Sequence, residues 1–149
     1  MVNYEGIFFE GKDLETILSL EETKLDIIND VIHCTFRYKP TDVEASNEIV
    51  GQYFDVTLVG YACDNKNSGF IVLLDEKVAK YYKNVNDEGK IIPPHITCSI
   101  TEDSEAIESA NLSFALLEKP TKIKGRYGYY IKNEDGKAYV SYEPFKITK

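Results

Sequence analysis

A chain of 149 residues with 43% apolar and 28% charged content is long enough for one domain with one real core, so residues 1–149 are read as a single unit. A net charge of −8 argues against a grip on long nucleic acid, which needs a basic stripe to displace counterions, and no apolar run is long enough for a membrane partner. Met1–Lys12 has no leader pattern, and three scattered cysteines, Cys34, Cys63 and Cys98, read as free thiols in a reducing cytoplasm.

Tyr4–Phe9 reads as a strand, and Asp13 opens a short helix with Leu14, Ile17 and Leu18 at helical spacing. Val31–Tyr38 is an apolar strand. Thr41-Asp42-Val43-Glu44 has capping-box spacing and predicts a helix over Val43–Val50. Tyr53–Cys63 and Phe70–Leu74 are strands joined by the turn-rich run Asp64–Gly69. Asp75 caps a helix running through Val78–Tyr82, and Asn84–Lys90 is a polar loop. Pro93 and Pro94 precede a strand over Pro94–Ile100, at positions where proline is tolerated. A helix at Ser104–Ala110, strands at Leu112–Leu117 and Ile123–Ile131, an Asp-Gly hairpin at Asn133–Gly136 and a return strand at Ala138–Tyr142 complete the chain. Strands and helices mix without βαβ alternation, so the class is α+β. The one internal echo is strand–helix–strand, seen once before each of two short motifs.

Those motifs are His33-Cys34-Thr35-Phe36 and His95-Ile96-Thr97-Cys98. The chain has only two histidines, and each has threonine two positions later on a predicted strand. Residues two apart on a strand share a face, so each motif sets an imidazole beside a hydroxyl, with Cys34, Phe36, Ile96 and Cys98 turned away. A neutral or charged imidazole near working pH suits proton transfer, and hydroxyls suit the non-bridging oxygens of a phosphoryl group. Arg37 and Ser99 come two residues after each threonine and would share the motif face on a regular strand. Tyr4, Tyr38, Tyr127, Tyr129 and Tyr130 are candidates to stack on a base. Two alternatives carry no such chemistry: the histidines as ordinary strand residues, and a zinc site, for which Cys34 and Cys98 point the wrong way. Gly6–Asp13 nearly spells a P-loop, but Asp13 stands where Ser/Thr is needed and Ile-Phe-Phe-Glu would crowd the cradle.

The paired His-x-Thr signature resembles the two-histidine (2H) phosphoesterase superfamily, also called LigT-like. The resemblance implies a bilobal α+β fold, two antiparallel sheets facing a central cleft with short flanking helices. It implies His33, Thr35, His95 and Thr97 as catalytic residues, and Arg37, Ser99, Tyr4, Tyr127 and Tyr129 as substrate-binding candidates, with no metal and no cofactor. The implied reaction is opening of a phosphodiester. With the charge, the expected substrate is a cyclic nucleotide or cyclic oligonucleotide, as for a compact phage-encoded subgroup of similar size. A 2′,3′-cyclic phosphate at an RNA end, or nucleotide binding without turnover, are the alternatives.

Overall fold

In the computed structural model, which describes residues 1–64, 66–101 and 115–147, the mixed strands and helices resolve into strands and two short helices. In chain order these are β1 (Val2–Phe8), α1 (Gly11–Leu20), β2 (Ile27–Ile28), β3 (His33–Tyr38), β4 (Tyr53–Cys63), β5 (Asn67–Leu74), α2 (Glu76–Ala79), β6 (His95–Ile100), β7 (Ala115–Lys132) and β8 (Ala138–Ser141). The class is α+β. Every pairing is antiparallel, in the order β2-β6-β5-β4-β7-β1-β3, with β8 added alongside β7. Instead of two separate sheets there is one hydrogen-bonded network. Strand β4 pairs with the first two thirds of β7, from Tyr53 opposite Arg126 to Tyr61 opposite Ala115, so neither half presents a bare edge at the junction.

The two halves repeat one plan. β1 runs into α1 and then to β3, its neighbour; β5 runs into α2 and then to β6, its neighbour. The far side of β1 is covered by β7, from late in the chain, and that of β5 by β4, the strand that leads into it. The motif strands β3 and β6 sit toward opposite ends of the strand order, yet their Cα atoms approach to within 8 Å.

Tracing the register across the sheet separates two faces. Cys34, Ile7 and Tyr127 stand in line on one, as do Ile96 and Phe70, and all are buried in the main core. Ile17 of α1 and Val78 of α2, both fully buried, pack on this face; each such side chain contributes about 1.5–3 kcal/mol. A second apolar cluster joins Val2, Val43, Tyr129 and Ile131 with Phe145 and Ile147 partly buried against it. The opposite face carries both motifs.

Several expectations change. Only a 3-10 turn, Ser46–Glu48, forms within Val43–Val50. Here the Ser46 hydroxyl donates to the buried Glu5 carboxylate and bends the segment around it. Asp75 caps α2 by accepting from the Lys77 N–H at 2.8 Å, but beyond Ala79 the bonds tighten to the 3-10 pattern, Tyr81 to Val78 and Tyr82 to Ala79. The strands expected at Leu112–Leu117 and Ile123–Ile131 are one: β7 runs 18 residues, and Pro120 is accommodated where β4 pairing skips from Leu116 to Thr121. The helix expected at Ser104–Ala110 and residues 112–114 lie outside the described residues.

Candidate functional site

Both motifs are shaped by the same local device. Along β3, His33 stands opposite Phe8 and Thr35 opposite Gly6, but the next pair is Arg37 with Glu5, so Phe36 is an extra residue. Along β6, His95 stands opposite Ile71 and Thr97 opposite Gly69, and the next pair is Ser99 with Ser68, so Cys98 is the extra residue. A β-bulge thus follows each His-x-Thr at the same place. The residue facing each threonine is glycine for a steric reason. A Cβ on Gly6 would lie 2.1 Å from the Cys34 carbonyl oxygen, and one on Gly69 would lie 2.2 Å from that of Ile96.

The imidazoles are held alike as well. Nδ1 of His33 donates to the Val31 carbonyl at 2.7 Å, and Nδ1 of His95 donates to the Pro93 carbonyl at 2.9 Å. A carbonyl only accepts, so the proton of each neutral ring sits on Nδ1 and Nε2 keeps its lone pair. Burial lowers the His33 pKa to about 4, opposed by the Val31 hydrogen bond and aided by the like charge of His95. Burial likewise lowers that of His95, opposed by the bond to Pro93. Each ring is neutral at pH 7, and the one senses the charge of the other. Thr35 and Thr97 are each 6% exposed on the same face as the histidines.

The bulges remove two of the expected binding residues. Beyond Phe36 the alternation is reversed, so Arg37 turns to the face of Glu5. Its guanidinium donates to the Glu5 carboxylate at 3.1 Å and to the Asp42 carbonyl. Beyond Cys98, Ser99 is fully buried, donating to Glu21 at 2.6 Å and accepting from the Leu25 N–H at 3.0 Å. Tyr127 and Tyr129 are corrected too. Both are fully buried on the core face, the first donating to Glu5 at 2.6 Å and the second to Asn47 at 2.7 Å.

Tyr4 is on the motif face. Its ring stacks on His33 with centroids 4.5 Å apart and on Tyr130 at 4.7 Å, and its hydroxyl lies 3.4 Å from His33 Nδ1. Phe8 closes on the same imidazole at 5.7 Å. Tyr38, brought to this face by the bulge, tilts against Tyr4 at 5.9 Å. Sequence reasoning missed the glycines, the bulges, Phe8 and the two carbonyls that orient the rings. A glycine inside a strand nearly the same distance before each histidine was the available signal.

All three cysteines are free, Cys34 and Cys98 buried on the core face and Cys63 exposed. Burial pushes the Cys34 thiol up to about 12, opposed by the main-chain N–H of His95, another link between β3 and β6. Among the described residues no group of three or more His, Cys, Asp or Glu is arranged to hold a metal ion, and no helix is long and apolar enough to cross a membrane. Comparison with known proteins returns no matching family model and no matching curated protein.

Proposed function

We propose that this chain is a metal-independent phosphodiesterase of the two-histidine type, with the β3 and β6 halves acting as the two lobes of a LigT-like site. The observation that carries the reading is the double equivalence of the motifs. Each has the same Nδ1-to-carbonyl bond, the same glycine opposite threonine and the same bulge after it, and the two rings are electrostatically linked. Two ordinary strand histidines have no reason to share all three features.

One Nε2 takes a proton from the attacking water as its oxygen bonds to phosphorus; the other ring, protonated, gives its proton to the sugar oxygen as the P–O bond breaks. The Thr35 and Thr97 hydroxyls donate to the non-bridging oxygens as their charge grows. An entering phosphate anion raises both imidazole pKa values, so the substrate itself favours the protonated acid. The substrate read from charge is a cyclic nucleotide or cyclic oligonucleotide. One observation favours a second substrate, a 2′,3′-cyclic phosphate at an RNA end: Lys122 is exposed on the motif face of β7, two residues from Lys124, whose ammonium lies 3.9 Å from the Asp55 carboxylate.

A panel of 2′,3′-cyclic mononucleotides, cyclic dinucleotides, linear 2′–5′ oligomers and a cyclic-phosphate RNA end, followed by chromatography, tests both. One class is expected to be opened by the wild type and not by His33→Ala or His95→Ala. Tight binding without product across the panel would replace the enzyme with a nucleotide-binding module.

A further inference from the structure

We infer that the site holds a nucleobase stacked on Tyr38, beside the His33 motif. This rests on the reading that a phosphate lies between the two motifs. Because the halves share histidine, threonine, glycine and bulge, the positions where they differ carry the asymmetry of the ligand. Tyr38 faces Tyr4 across β3 and β1; the equivalent pair across β6 and β5 is Ile100 with Asn67. Among the described residues, that pair is therefore aromatic on the His33 side and not on the His95 side.

On the His33 side the rings form a continuous path. Tyr4 stacks on both His33 and Tyr130, at 4.5 and 4.7 Å, and is 8% exposed, so its ring is already covered. Tyr38, at 5.9 Å from Tyr4, is 44% exposed. Two ring-to-ring steps, His33 to Tyr4 and Tyr4 to Tyr38, lead from the imidazole to an exposed aromatic surface. Tyr38 is also held deliberately. The bulge at Phe36 turns it, rather than Arg37, to the motif face. Directly after it Lys39 adopts φ 44 and donates its N–H to the Asn3 carbonyl at 2.8 Å. A left-handed lysine is uncommon and costs energy that ordinary strand termination does not require.

Calorimetric titration of the full chain with adenosine 5′-monophosphate and with ribose 5-phosphate reads the base contribution directly, because the two probes share sugar and phosphate. Stacking of this kind is expected to favour the nucleotide by about tenfold or more. Tyr38→Leu is expected to abolish the preference, Tyr38→Phe to keep it, and Ile100→Ala at the equivalent position to leave it unchanged. Equal binding of the two probes, no binding of the nucleotide at millimolar concentration, or a preference that survives Tyr38→Leu would overturn the inference. Turnover on the panel above is scored separately. An enzyme indifferent to the base loses only the stacking site, and a base-selective protein without turnover loses only the proposed reaction.

Discussion

Glu5 is a carboxylate at 1% exposure whose oxygens are met by Arg37, Ser46 and Tyr127, so its neighbours matter for stability before they matter for chemistry. Removing one partner leaves a buried charge short of compensation, and a fully buried pair loses about 3–5 kcal/mol when broken this way. Arg37 is partly exposed and water replaces some of the loss. Arg37→Gln is therefore expected to cost about 1–3 kcal/mol in urea denaturation, while the proposed turnover, corrected for folded protein, stays within about threefold. A loss of turnover on the scale of His33→Ala would return Arg37 to the phosphate. The glycines are the complementary test, because the atoms in their way are backbone. Gly6→Ala and Gly69→Ala force a Cβ to within 2.1 and 2.2 Å of carbonyl oxygens. Each is expected to destabilise by at least about 2 kcal/mol and to weaken turnover by separating the strand pair that positions its threonine.

At the scale of elements, the strand that joins the halves is the one to disturb. Leu58 lies in β4 with no exposed surface, facing Val72 of β5 on one side and Thr121 of β7 on the other. Leu58→Ala is expected to cost about 2–5 kcal/mol, with circular dichroism and tyrosine fluorescence losing signal in one coincident transition because one core serves both halves. Two separated transitions would mean that the halves fold independently. Much of this layout was legible in the sequence. Apolar runs bounded by turn residues place β1, β3, β4, β6 and β8 to within a residue or two, and β4 at its observed bounds. What such runs do not carry is register. A bulge adds one residue without changing composition, so Phe36 and Cys98 look like any strand residue while reversing the face of everything after them. For that one reason Arg37 and Ser99 leave the motif face and Tyr38 joins it. Tyr127 and Tyr129 depart from expectation for another: a tyrosine's sequence context does not say whether its hydroxyl finds a buried acceptor, and here Glu5 and Asn47 supply one each.

For the whole molecule, the two depressed imidazoles couple folding, binding and turnover through protons. A histidine whose folded pKa lies below its unfolded value of about 6.5 is bare in the native state while the unfolded chain takes a proton. Its contribution is complete above pH 6.5 and is lost as pH falls toward about 4, the folded value for His33. The urea midpoint is expected to drop between pH 7 and 4.5, and to drop less in His33→Gln. An anion between the motifs reverses the bias, so binding inorganic phosphate at pH 6 is expected to take up protons, measurable as a buffer-dependent binding enthalpy. The same logic fixes the shape of the rate profile. In the free enzyme the base must be bare and the acid charged, so kcat/KM is expected to trace a bell whose two apparent constants, belonging to the pair, both lie below 6.5. In the complex the bound phosphate raises both constants, and the kcat bell is expected to sit at higher pH than that of kcat/KM. His33→Ala or His95→Ala is expected to remove about 10² to 10⁴ of rate, and the double variant little beyond the worse single loss, because the pair acts as one unit. Thr35→Ala or Thr97→Ala removes one donor and leaves both proton transfers, so each is expected to cost less and to leave the bell in place. A flat profile from pH 4 to 9, or a double variant with near wild-type turnover, would show that the repeated motif builds the strands and does no chemistry.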